Sequence, residues 1–263
     1  MMEVDELLED LEIDSIDLLR MCLRSLADGN TAQGAIFPEI ELRYRLLGIV
    51  ALLRDADRIA FRDHLHRSAS AGLHFRRLFQ QGADVAETNL PVTEHCAFGD
   101  AIIAGDLELA REIARLSPTE HVDGHEYEDD FLRFHFLHRL ILDADDEELE
   151  AILDRWQQVL DGAPSPAWDV SRALLDRDTG ALHEALGGLI DAHTAYYDEF
   201  RNNTGYIPEV EASLGKVLMN GLVALRFAEL REITTEPEYR YMPSLARLPV
   251  AGDFPDRDAW RTL

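Results

Sequence analysis

At the start of the chain Val4, Leu7, Leu8, Leu11, Leu18, Cys22 and Leu26 recur with the helical period, while Glu3, Glu6, Glu9, Asp10, Asp14 and Asp17 fall on the other side. An amphipathic helix laid on a core has this pattern, and Asp28-Gly29-Asn30 supplies its stop. Pro38 suits the first turn of a second helix running through Leu53. A third is expected from Ala56 to Gln80, and a loop from Gly82 to Pro91 then separates this trio from the rest. The reading divides the chain into an N-terminal helical subdomain, residues 1–81, and a C-terminal helical domain, residues 92–263, which together could also form one continuous domain.

Beyond the loop one device recurs: an apolar helix, a short turn built on Gly or Asp, and another apolar helix. It occurs at Ala104-Gly105-Asp106-Leu107, around Asp143-Ala144-Asp145 and around Asp176-Arg177-Asp178. Glycine accepts the left-handed conformation that ends a helix, and an Asp carboxylate caps the next one. The spacing suits stacked hairpins. Tyr127 to Leu142 is apolar nearly all round, as expected of a helix at the centre of the fold. Ser165-Pro166 begins another helix, with Ser as cap and Pro in the first turn. The last long helix is expected from about Pro208 to Arg231, with Ala212, Gly215, Gly221, Ala224 and Ala228 allowing a neighbour close. The tail from Glu236 to Leu263 reads as extended, packing through its aromatics. No segment alternates apolar and polar residues with β-branched enrichment. The fold class is therefore all-α, with stacked antiparallel helical hairpins forming one bundle or a short solenoid-like domain.

Charge changes this picture. Fifty-one acidic residues stand against twenty-five basic ones, a net of −26. Such a surface repels nucleic acid and anionic membranes and steers a basic partner toward itself. The surplus also has a compositional explanation, since Lys216 is the one lysine and arginine supplies the other bases. An acidic start at Met1-Met2-Glu3-Val4-Asp5-Glu6, where a secretory signal would be basic, and the lack of a long uncharged apolar stretch point to a cytoplasmic protein.

Candidate chemistry is sparse. Cys22 and Cys96 sit within apolar helical patterns and read as small buried hydrophobes. His121 and His125 flank Val122-Asp123-Gly124, and His135 and His138 lie one turn apart, with Glu126, Asp129 and Asp130 nearby. Those residue types could bind a metal, but their spacing matches no zinc signature, and the two helical histidines sit among phenylalanines. His64 and His66 point to different sides of their helix. No serine elbow and no phosphate-binding loop is present. No catalytic residue, cofactor or metal is expected. Two acidic runs remain as candidate partner-binding patches: Glu126, Glu128, Asp129 and Asp130, then Asp143, Asp145, Asp146 and Glu147. Acids also decorate helix N-termini for purely local reasons, so each run has a structural reading beside the functional one.

Several elements of the C-terminal half resemble those of the immunity protein 49 family of polymorphic-toxin systems. They are Leu182-His183-Glu184-Ala185-Leu186 continuing through Leu189 to His193 and Tyr196-Tyr197, then Glu238-Tyr239, Tyr241-Met242-Pro243-Ser244-Leu245 and Asp253-Phe254-Pro255. The hairpin from Ala97-Phe98 to Leu116 is similar too. The resemblance covers about residues 95–260. It implies an all-helical cytosolic protein that neutralises a cognate toxin domain, with no catalytic residues to carry over. Beside this reading stand a helical-repeat interaction scaffold and a metal-dependent enzyme built on the His121–His138 region.

Overall fold

The computed structural model describes residues 4–30, 36–83, 91 and 95–263. Eleven α-helices are present among them: α1 Val4–Ala27, α2 Ile36–Asp55, α3 Arg58–Gln80, α4 Ala97–Ala104, α5 Leu107–Leu116, α6 Glu128–Ile141, α7 Asp146–Leu160, α8 Pro166–Asp176, α9 Thr179–Phe200, α10 Pro208–Ala212 and α11 Met219–Leu230. There is no strand among the described residues, only an isolated bridge between Tyr239 and Met242. The fold is all-α. Among the described residues no helix is long and apolar enough to cross a membrane.

The turns form where capping chemistry places them. Asp57 accepts from the Ile59 and Ala60 amides and starts α3. Gly105, at φ +86°, closes α4, and Asp106 caps α5 through the Leu109 amide. Asp145, Ser165 and Asp178 cap α7, α8 and α9 in the same way. Four hairpins result (α2–α3, α4–α5, α6–α7 and α8–α9), each packed on the next, while α11 returns to lie against α4, α8 and α9. Pairing of Glu128 with Arg155, and of Arg139 with Glu148, fixes α6 and α7 as antiparallel.

The main core runs from Ile49 and Leu52 of α2, through Leu65 and Leu73 of α3, to Met242 and Ala246 beyond α11. It joins the first helices to the later hairpins. The α3–α4 contact is close enough to require Gly72, where a Cβ would stand 2.3 Å from that of Ala97. The expected loop from Gly82 to Pro91 lies mostly outside the described residues.

Two expectations are corrected. The helix expected from Pro208 to Arg231 is broken between Ala212 and Met219. Ser213 Oγ bonds back to the Glu209 carbonyl, and Gly215 sits so close to the Glu211 carbonyl that a Cβ would be 2.5 Å from it. The Leu218 amide then donates to Tyr241 O at 2.8 Å, which diverts it from helix continuation. The tail is also more ordered than an extended segment, with 3-10 turns at Ser244–Ala246 and Ala259–Arg261. Trp260 is fully buried between Phe37 and His74, and its carbonyl accepts from Tyr44 Oη at 2.8 Å. Arg62 donates to the carbonyls of Gly252 and Asp253, and Arg67 to those of Ala259 and Thr262.

Candidate partner-binding surface

The two acidic runs occupy opposite ends of the α6–α7 hairpin. At the start of α6, Glu128 receives two hydrogen bonds from Arg155 of α7, at 2.7 and 2.8 Å. Those bonds, chiefly, hold its carboxyl below the usual range, against a small opposing effect of burial. Asp129 and Asp130 share that first turn, and Asp130 lies 3.9 Å from Arg133. Glu126 precedes the helix, beside His121, whose Nε2 is 2.8 Å from the Glu126 carbonyl. Within this run Glu128 is the acid held across the hairpin.

The other end differs. Asp145 is committed in part to capping α7. Asp143, in the left-handed region at φ +59°, and Asp146 and Glu147 in the first turn of α7 are exposed and make no ion pair among the described residues. Their neighbours Glu148 and Glu150 are neutralised by Arg139 and Arg172. The turn thus presents three carboxylates free to meet an outside cation.

The histidines serve packing. His135 stacks on Phe131 at 5.2 Å between centroids, and His138 meets Phe98 edge-on at 4.3 Å. Burial pushes His138 well below the ordinary histidine range. His64 stacks on Tyr44; His66 stacks on Phe254, with its Nε2 3.2 Å from Asp106. Among the described residues no three His, Cys, Asp or Glu side chains gather as a metal site would need. Cys22 and Cys96 are free thiols, and burial pushes Cys96 up to about 12.

Sequence reasoning missed two features. One is a buried polar network under the start of α4. Glu41 accepts from the Cys96 and Ala97 amides at 2.8 and 3.0 Å and meets His95 Nδ1 at 2.6 Å. Asp100 holds Arg45 Nε at 2.8 Å and Ser68 Oγ at 2.6 Å. Burial alone would raise the Glu41 pKa, but His95 and the surrounding donors outweigh it and hold the carboxyl below its usual range. Glu41 thereby caps α4 from another helix, a role no local motif announces. The second feature is a cleft of about 250 Å³ whose walls include Phe98 of α4, Arg133 and Phe134 of α6, Val170 of α8, Leu189 of α9 and Val223 of α11. With Arg45 of α2, it combines residues from six helices spread along the chain.

Comparison with known proteins gives one match. A family model described as immunity protein 49 matches residues 54–246. The span begins at the end of α2 and takes in α3, and is broader at its start than residues 95–260. It ends before the Trp260 tail. Neither the curated proteins nor the solved structures gave a match.

Proposed function

Since the chain belongs to the immunity protein 49 family, we propose that it binds a cognate toxin domain in the cytoplasm and holds it inactive, acting as a binder and not as a catalyst. The family match over residues 54–246 carries this reading. The net charge of −26 supports a basic partner, because long-range attraction raises the encounter rate of oppositely charged proteins. Within that field the α6–α7 turn is the docking point we favour. Asp143, Asp146 and Glu147 stand exposed there with no salt bridge among the described residues, so pairing with a partner breaks no close ion pair at these three positions. The other acidic run, from Glu126 to Asp130, would contribute less, with Glu128 already held by Arg155.

The test is co-expression in a host that the toxin kills. The toxin encoded beside this gene should arrest growth alone and be tolerated when this chain is present, and the two should co-purify. Growth arrest that persists despite soluble, folded chain would remove the proposal.

A further inference from the structure

The cleft lined by α2, α4, α6, α8, α9 and α11 has a composition opposite to that of the surface around it. Among the described residues no Asp or Glu lines this cleft, whereas Arg45 and Arg133 both do. The remainder of the wall is largely apolar, from Phe98, Phe134, Leu137, Val170, Leu189 and Val223. At about 250 Å³ it lies just below the range of about 300–1,000 Å³ usual for small-molecule sites, so its occupant is small.

The two arginines are not equivalent. Arg45 is committed: it donates to Asp100 at 2.8 Å and to the Cys96 carbonyl at 3.1 Å. Burial, the largest single effect, acts against its charge, but Asp100, Cys96 and Glu41 together outweigh it and hold the guanidinium above its ordinary value. Arg133 has no hydrogen bond among the described residues. Its nearest carboxylate, Asp130, is 3.9 Å away, and its side chain is only 25% exposed, lying over the Phe134 ring at 4.6 Å. Here burial wins and pushes the guanidinium below its ordinary value, with Asp130 and Asp129 opposing only in part. Nearby arginines behave otherwise, for Arg155 and Arg172 each grip a carboxylate with two bonds. The Arg133 donors still reach solvent and none is used in a hydrogen bond among the described residues, so an anion entering the cleft would find them free to bind it.

The cleft offers further donors. Helix α11 begins there with Met219 and Asn220, no side chain caps it, and its first turn holds no acid. Amides at a helix start favour negative charge. One uncommitted guanidinium matches one carboxylate in its planar two-bond geometry; a phosphate dianion would call for more.

We propose that this cleft binds a small organic anion, an apolar body ending in a single carboxylate, which pairs with Arg133 while the body lies among Phe98, Phe134, Leu137 and Val223. This site is separate from the acidic turn where toxin docking is placed, and it does not depend on that docking.

Octanoate is the probe, titrated into the full chain by calorimetry, with octan-1-ol as its uncharged counterpart. One octanoate should bind per chain in the millimolar range or tighter, and octan-1-ol at least about tenfold more weakly. Arg133→Leu should lose about tenfold in octanoate affinity while leaving octan-1-ol unchanged, and Arg133→Lys should retain part of the affinity. Methyl NMR shifts on octanoate addition should centre on Leu137, Val170, Leu189 and Val223, a readout that remains usable if Arg133→Leu fails to fold. Lack of saturable binding, equal affinity for acid and alcohol, or shifts confined to other methyls would each overturn the proposal.

Discussion

His64 shows how far one side chain can set the response of the whole protein to acid. Burial, reinforced by the neighbouring Arg67, lowers its pKa to about 4, and its Nδ1 has no partner among the described residues. In the unfolded chain the ring takes up a proton near the ordinary histidine pKa of 6.5. The unfolded state therefore binds the proton first, so stability falls as pH drops through the window between those values. The full effect is about 3 kcal/mol, from 1.36 kcal/mol per pKa unit. Urea denaturation at pH 7 and at pH 4.5 should show the wild type losing stability, and His64→Leu losing distinctly less. Equal losses would mean that this ring is solvated in the folded state. Stopping at pH 4.5 limits the contribution of Glu41, whose depressed pKa keeps its stabilising charge until more acid conditions.

At the scale of elements, the α6–α7 turn carries the test of docking. Replacing Asp143, Asp146 and Glu147 by Lys removes its three unpaired carboxylates and leaves the Asp145 cap in place. Association with the toxin should slow at least about tenfold at low ionic strength, with the difference shrinking as salt is added. Stopped-flow mixing measures this directly. The matching exchange of Asp5, Glu9 and Asp10 on α1 changes net charge equally at another exposed place; slowing of the same size there would show that total charge, and not this turn, steers the encounter.

The same scale explains what the sequence made legible. Helix starts at Asp106, Asp145, Ser165 and Asp178 could be read because each cap bonds within three residues of itself. The interruption after Ala212 could not, because the Leu218 amide is taken by Tyr241, more than twenty residues later. The acidic patches could be found as runs, but whether Glu128 or Glu147 is already neutralised depends on which helix lies opposite. Nothing in the sequence singles out Arg133, because the surroundings that partly bury it come from five other helices. Local chemistry places elements, and only their assembly decides which side chains remain available.

For the whole molecule, the decisive contact is the return of the tail. Trp260 completes a core of Leu19, Phe37, Tyr44, Leu47, Ala71 and Phe75 contributed by α1, α2 and α3. Trp260→Ala should cost about 3–5 kcal/mol, the usual penalty for emptying a large aromatic site, read from the shift of the urea midpoint at constant slope. A loss under about 1 kcal/mol would show that the site collapses or that the tail rests loosely on the surface.

The position of Trp260 also sets a clock. During synthesis α1 to α3 emerge early, but the indole that covers Phe37 and Phe75 comes about 180 residues after α3 ends. At about 5–20 residues per second the delay is about ten to forty seconds. Throughout it a greasy face of the nascent chain stays uncovered, open to chaperones or to another copy on the same messenger. Readiness to meet a toxin would thus be limited by how soon the ribosome delivers that tryptophan.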